Sequence, residues 1–556
     1  MGPALAVVDA APKLGIVLAA VTAAATLVDP DARRRTVWMG TSLALAAVIL
    51  IGHIDDTEQF RSLTDRPLRF AGFCVAGVLI VVLLAILFAR RPAAFPLCVV
   101  GVLPFRVPIE AAGQTANLLV PLYLTIAAGC AAYAWRIWAV RPQADGTGAV
   151  GLQADRPVSG GMRFRPLEVA LGAFLVLYAL QATYSKDFDT ALEQAVFFLI
   201  PFALLYALLR EVRWSRDIVL GCVGVLTVLA IAFCVIGFWE YDRRELFWNP
   251  KVIAANQFES YFRVNSVFWD PNVYGRFLVL VILAVTALML WSARARVALA
   301  SAVVLAVLWA GLVLTFSQSG FAALLAGLAV LAALRWDVRR AAAAAAAALL
   351  LGGAFAVLFQ DTLKIDLGSS GGLNNVTSGR ADLIGGGVEL FAKRPLQGYG
   401  SGSFGRAYRL ERKGNQQQAV SASHTMPVTV AGEQGLIGLA AYVAVLVTAM
   451  WALFGDAAWR ATRGRAPPGH DSSAPAEKVF AEKVFADGGP YRVARAALAA
   501  MFVALLVHTM VYAAFLEDPF TWVILAAGVS LAPLAQLGPV VRPATTRHAQ
   551  PVPATI

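Results

Sequence analysis

The sequence predicts an all-α, polytopic integral membrane protein with about twelve to fifteen transmembrane helices and one long extracytoplasmic loop that carries short helices. Three observations predict it. The 556 residues are 59% hydrophobic and only 15% charged, with a mean hydropathy of +0.68, where charged residues of a soluble domain approach a quarter of the chain. Apolar windows long enough to cross a bilayer, about 17 to 25 residues each, recur almost throughout. Lysine and arginine gather on alternate connections between those windows, the pattern that marks the cytoplasmic side.

The windows start near Gly15, Val37, Phe70, Phe95, Ala116, Leu167, Ala191, Ile218, Tyr274, Val297, Gln318, Ala341, Leu436, Ala494 and Phe520. The base-rich connections are Arg33 to Arg35, Arg90 and Arg91, Arg136 to Arg165, Arg210 to Arg216, Arg294 and Arg296, Arg335 to Arg340, and Arg460 to Arg465. One orientation accounts for all of them and puts the segments from about Glu240 to Asn272 and from about Gln360 to His424 on the outer face. The chain then divides into N-terminal helices (1–240), central helices (241–358), an extracytoplasmic loop (359–426), C-terminal helices (427–540) with a cytoplasmic linker near 456–492, and a disordered tail (541–556). The linker holds PPGHDSSAP and a duplicated AEKVF, and the tail is rich in Pro, Thr and Arg. The alanine tract at 341–353 reads as a spanning helix without chemistry of its own.

The five cysteines, Cys74, Cys98, Cys130, Cys222 and Cys234, fall inside apolar windows with no pair at ligand spacing, so neither a disulfide framework nor a metal site is expected. The N-terminal MGPALAVVDAAPKLG lacks a basic region, so no cleaved signal peptide is expected.

The long outer loop is basic on the side that should be poor in base. From Gln360 to His424 it has eight Lys or Arg against five Asp or Glu, a net +3. An anionic ligand is a natural reason to keep arginines there. Within it, ADLIGGGVELFAKRP has the apolar spacing of a surface helix, weakened by Gly385 to Gly387. LQGYGSGSFGR is a turn-rich stretch able to bring backbone N–H groups to a ligand, without the Lys-Ser/Thr context of a phosphate-binding P-loop.

His424, where this loop meets the next helix, can take a proton from a hydroxyl near neutral pH, since an unperturbed imidazole titrates at about 6.5. Its other reading is an interfacial histidine bonded to backbone. Arg380 in TSGRADL offers a planar fork suited to phosphate, or snorkels to headgroups. In RVNSVFWDPNVYGR, Asp270-Pro271-Asn272 is a helix-start signature. Arg276, one turn further on, is not complemented by the helix dipole and needs a carboxylate, a headgroup or a bound anion. SQSG at 317–320 reads as a helical-hairpin turn. His508 and Glu517-Asp518-Pro519 read as functional groups or as interhelical hydrogen-bond partners.

RVNSVFWDPNVYGR, LTFSQSG, SGRADL, KRPLQGYGSGSF and SHTMPVTVAGEQGLIGL, in this order with helices between them, resemble the O-antigen ligase and O-antigen polymerase (Wzy) superfamily over about Arg263 to Leu439. The resemblance implies a metal-independent, inverting glycosyltransferase without a cofactor. Its donor would be an undecaprenyl-diphosphate-linked glycan, and its acceptor a sugar hydroxyl on lipid A core or on another lipid-linked repeat. Membrane lipids, and no nucleic acid, complete the expected partners. Residue by residue, His424 matches the loop histidine that activates the acceptor, Arg380 the loop arginine that holds the donor diphosphate, and Arg263 and Asn272 the earlier R…PN motif. Two positions depart from the family: His424 is followed by Thr425 where Asn is usual, and the outer turn reads Ser317-Gln318 where Ser-Arg is usual. Arg276, Arg406 and Arg409 are the candidates to replace that arginine, or the substrate lies differently. The competing reading is a transporter or flippase of a lipid-linked or anionic substrate, which predicts paired repeats with broken helices in both halves.

Overall fold

A computed structural model describes residues 3–54, 67–111, 114–139, 166–247, 249–258, 261–336, 380–412, 423, 425–455, 489–512 and 514–536. Every hydropathy window among these residues holds a helix. The window from Ala341, the 456–488 stretch of the linker and the tail lie outside them. In chain order the elements are α1 (Pro3–Val28), α2 (Ala32–Ile54), α3 (Pro67–Arg90), α4 (Ala94–Val102), β1 (Val107–Ala111), β2 (Gln114–Leu118), α5 (Val120–Ala139) and α6 (Pro166–Ala182). There follow α7 (Phe188–Arg210, with a π-turn at Ala195–Leu199), α8 (Arg216–Arg243), α9 (Pro250–Phe258), α10 (Pro271–Trp291), α11 (Ala295–Thr315) and α12 (Gln318–Arg335). The last are α13 (Arg380–Lys393), α14 (Phe404–Arg412), α15 (Met426–Phe454), α16 (Gly489–Thr509) and α17 (Pro519–Gln536).

Among the described residues, eleven helices are long and apolar enough to cross a membrane, and α6 and α17 are apolar but shorter. The protein is an all-α, multi-pass membrane protein. Its small departure from helix is the antiparallel hairpin β1–β2, which pairs Val107 with Leu118 through Ala111 with Gln114. Burial grades the helices from centre to rim. In α7 and α10, 78% of the spanning window is buried, whereas none of the α3 window is, and α3 packs mainly against α5, with Phe88 buried near its end. Around α10 pack α8, α11, α12 and α16, and around α7 pack α1, α5 and α17.

Charge sorts the two ends. At one end Arg35 pairs with Glu211 at 2.6 Å, Arg210 with Glu168 at 3.4 Å, and Arg495 donates to the C-terminal carbonyls of α15 at Ala452 and Leu453. A cation at that end of a helix satisfies carbonyls that have no intrahelical partner. At the other end, the connections expected on the outer face meet. Val264 N–H donates to the Leu314 carbonyl, Lys186 N–H to Tyr399, and Thr425 Oγ1 to Met510. We call this the loop end.

The outer loop docks there through a buried carboxylate. Helix α15 breaks at Gly435, whose φ of 65° is a left-handed value that glycine reaches without a Cβ penalty. The break frees Leu436 and Ile437 N–H groups to bond Pro395 and Leu396 carbonyls. One residue pair earlier, Glu433 accepts from Gly402 N–H at 2.9 Å and Phe404 N–H at 3.0 Å, and its own carbonyl accepts from Gly400 N–H at 2.8 Å. The donors of LQGYGSGSFGR that look available for a ligand are therefore spent inside the protein at Gly400, Gly402 and Phe404. The glycines of ADLIGGGVELF serve packing as well. A Cβ on Gly387 would lie 2.4 Å from Val428, so the helix closes directly onto α15. On the exposed rim Lys393 bridges Glu389 at 3.1 Å and Glu411 at 2.7 Å, tying α13 to α14.

Two consequences are measurable. Glu433→Ala strands two buried N–H groups, each at a cost of about 1–3 kcal/mol, and should lower the thermal unfolding midpoint far more than Glu433→Gln, which keeps one acceptor. Equal midpoints for the two variants would contradict the pinning role. The Lys393 bond holds the Glu411 carboxyl below its ordinary value, and the Glu411 bond holds Lys393 above its own. The pair thus stabilises the α13–α14 contact above the ordinary carboxyl range of about 4.3 and below the lysine range of about 10.4, and is lost beyond either limit. Hydrogen-exchange protection of α14, corrected for intrinsic rates, should hold through neutral pH and fall as pH drops through the depressed Glu411 value, and Lys393→Ala should flatten that fall.

Candidate active site

The loop end begins with a helix start. Asp270 accepts from the N–H groups of Asn272 at 2.7 Å and Val273 at 3.4 Å, with Pro271 at the first helical position of α10. This fixes Asn272, whose Oδ1 accepts from Arg263 Nη2 at 3.2 Å and from Ser317 Oγ at 3.0 Å. Arg263 also donates Nε to the Thr315 carbonyl at 3.0 Å. Both acceptors are neutral, so they orient the guanidinium without cancelling its charge. From Ser317, the cap of α12, the chain of bonds continues to Ser319 Oγ at 3.2 Å and from there to His508 Nε2 at 3.2 Å. Ser317, Ser319 and His508 are all buried. The R…PN motif, the SQSG turn and α16 thus share one polar network. Gln318, in the position of the family arginine, is exposed at the first residue of α12.

Arg276 lies one turn below Asn272 and finds its carboxylate in Asp518, with Nη2 to Oδ2 at 2.8 Å and both side chains buried. Asp518 Oδ1 accepts from Phe520 N–H at 2.9 Å and so starts α17 as well. Tyr512, in the segment after α16, has its ring centroid 5.6 Å from that of His508. Burial pushes the Tyr512 hydroxyl above its ordinary value and the Asp270 charge adds to this, while Arg276, Arg106 and Arg263 oppose it. Three arginines from three separate segments therefore act on one phenol.

Arg106 and Tyr512 are the residues that reading the sequence missed. Arg106 stands in LPFRVP, just past the short window near Phe95, and the alternation of base-rich connections places that window's far end on the outer face; the signal was present but weak. Tyr512 carried none. Glu433 was visible in AGEQG but carried no sign that its carboxylate would pin a loop 30 residues upstream.

His424 itself lies outside the described residues, and its neighbours show how the chain is held on both sides. Ser423 N–H donates to Thr429 Oγ1 at 3.1 Å, and Thr425 Oγ1 donates to the Met510 carbonyl at 3.0 Å. Met510 sits between His508 and Tyr512, so position 424 is flanked by residues tied to α15 and to the segment that carries those two rings. Arg380 opens α13, and its side chain lies outside the described residues. Arg406 and Arg409 are on the exposed side of α14, whose buried side packs Phe404, Ala407 and Tyr408 with Leu390 and Tyr399. Of the arginines and amides singled out in the sequence, the structure brings together Arg263, Asn272 and Arg276, and leaves Arg406 and Arg409 outside that group.

An arrangement of fixed, partly buried guanidinium groups suits an anion, and a phosphate or diphosphate in particular. The family described as O-antigen ligase matches residues 303–443, which run from α11 through the docked loop to α15 and include Ser317, Arg380, His424 and Glu433. No curated protein matches the chain. Residues 303–443 of this multi-pass membrane protein therefore carry a match to the O-antigen ligase family, which supports an O-antigen ligase-like role in surface polysaccharide assembly.

Proposed function

We propose that the protein is a glycosyltransferase that moves a glycan from an undecaprenyl-diphosphate-linked donor to an acceptor sugar hydroxyl, at the outer face of the bacterial inner membrane. The observation that supports it is the pair of fixed guanidinium groups at the loop end, Arg263 held by Asn272 and the Thr315 carbonyl and Arg276 held by Asp518, together with the bond from Thr425 to the Met510 carbonyl next to His424 in sequence.

In the transfer, the bond between the anomeric carbon and the diphosphate oxygen breaks and a glycosidic bond to the acceptor oxygen forms. Negative charge grows on the departing diphosphate. Guanidinium groups already fixed by neutral acceptors, as Arg263 is by Asn272 and Thr315, stabilise that charge without having to reorganise. Arg380 at the start of α13 adds a further charge to the donor side, and Arg406 and Arg409 draw the anionic headgroup toward the loop. In this scheme arginine, rather than a metal ion, balances the diphosphate. His424 takes the acceptor proton from the opposite side of the anomeric carbon, so the configuration inverts. The segment 359–426 is then the catalytic loop, and the pinning by Glu433 sets where it stands over the site.

The test is transfer by the full-length protein from an undecaprenyl-diphosphate oligosaccharide, with and without lipid A core, the products being resolved on gels. His424→Ala and Arg263→Ala should each reduce turnover by about 100- to 1000-fold while the proteins stay folded. A ladder of longer glycans from donor alone makes the protein a polymerase, and a single shift that requires lipid A core makes it a ligase. A His424→Ala protein as active as the parent overturns the reading. Donor that crosses vesicle membranes unconsumed overturns it in favour of a transporter.

A further inference from the structure

The hydrogen-bond chain between Asn272 and His508 runs in one direction only. A guanidinium donates and never accepts, so the Asn272 atom that Arg263 Nη2 meets at 3.2 Å is the amide oxygen Oδ1, an acceptor. Ser317 Oγ lies 3.0 Å from the same oxygen, and its single hydroxyl proton is committed there. Ser317 Oγ also accepts from Gly320 N–H at 3.1 Å, which leaves it one lone pair for Ser319. The 3.2 Å bond between the two serines is thus donated by Ser319. With that proton committed, Ser319 Oγ can only accept from His508 Nε2 at 3.2 Å. Ser317, Ser319 and His508 are 0%, 3% and 0% exposed, so bulk water reaches none of the three to substitute for a partner.

His508 is therefore the donor at the far end of a chain that finishes on Asn272, and it stands where the two parts of the loop end meet. Its helix, α16, packs against both α12, which carries Ser319, and α10, which carries Asn272. Two residues further on, the Met510 carbonyl takes Thr425 Oγ1, and the His508 carbonyl itself accepts from Tyr512 N–H at 2.9 Å. We infer that His508, with its hydrogen on Nε2, is a positioning residue: through Ser319 and Ser317 it holds the Asn272 amide oxygen toward Arg263, and it fixes that pair against the segment to which Thr425 is tied. The inference rests on the proposed transfer only for what Arg263 and Asn272 do to the substrate. An imidazole with a bare Nε2 would draw the Ser319 proton to itself. The Ser317 proton would then serve either Ser319 or Asn272, and one of two buried bonds would be lost.

The experiment uses full-length protein in nanodiscs, with nitrogen NMR of isotope-labelled histidine rings and steady-state transfer from an undecaprenyl-diphosphate oligosaccharide. The His508 signal, one of five histidines, is assigned by its loss in His508→Gln. Its Nε2 should carry hydrogen, and the signal should shift in Ser319→Ala. His508→Leu and Ser319→Ala should each lower kcat by about tenfold, the size of one neutral hydrogen bond, with KM changed by less than about twofold. The two together should cost no more than either alone, because they break one chain. His508→Gln, whose amide N–H reaches toward the Nε2 position, should recover kcat to within about threefold of the parent. If His508→Leu does not fold, Ser319→Ala compared with Ser319→Thr, which keeps the hydroxyl, gives the same reading. A bare Nε2 in the parent overturns the inference. So do additive losses, or a His508→Gln as slow as a folded His508→Leu, either of which would mark packing in place of donation. Transfer that needs His424 but is indifferent to His508→Leu and Ser319→Ala defeats the inference and leaves the proposed function standing. A parent that transfers no glycan, with hydrogen on Nε2 and a signal that responds to Ser319→Ala, defeats the proposed function and leaves the hydrogen-bond chain standing.

Discussion

Gathering guanidinium groups where little water screens them is expensive, and the loop end of this bundle is organised around that expense. At an effective dielectric of about 20, two like charges several ångströms apart still repel by a few kcal/mol. Two carboxylates offset part of it. Asp270 and Asp518 each start a helix, and each lies within the field of the arginines, so one side chain serves both fold and electrostatics. Neutral acceptors carry the rest: Asn272 and the Thr315 carbonyl hold Arg263 without neutralising it. The remaining positive charge is what makes the site complementary to an anion that carries more than one negative charge.

The same end is built so that the loop cannot drift from those charges. Glu433 takes two loop N–H groups, the left-handed turn at Gly435 exposes two more donors of α15 to loop carbonyls, and Thr425 ties the far side to Met510. These contacts connect α15, the glycine-rich stretch and the segment after α16. The glycine-rich stretch thus acts as a joint fastened to a carboxylate.

Much of this could be read before the structure. Hydropathy located the described helices long enough to cross a membrane, because a bilayer-length apolar run has few other ways to satisfy its backbone, whereas α9 and α14 lie outside its windows and α14 falls where a turn-rich stretch was expected. Asp270-Pro271-Asn272 and SQSG announced their helix starts through local cap chemistry, and Asp518 was already a candidate interhelical partner. Where the reading stopped, the missing information was not local. That Arg276 would find Asp518, about 240 residues later, and that Arg106 would face the same carboxylate, depend on how α4, α10 and α17 pack. The doubt over Gly385 to Gly387 has the same origin. Glycine weakens an isolated helix, but here it lets α13 press against Tyr408, Phe404 and Val428. The hairpin at Val107–Leu118 begins inside an apolar window and has no period long enough to separate it from helix.

The central claim is that a lipid-linked diphosphate is held by arginines from separate segments at the loop end. The most direct measurement is an electron cryomicroscopy map of the protein in nanodiscs with undecaprenyl diphosphate bound. The account expects the diphosphate density beside Arg263 and Arg276, with the polyprenyl chain leaving between helices. Density on the exposed side of α14 at Arg406 and Arg409, with none at Arg263 and Arg276, would contradict it.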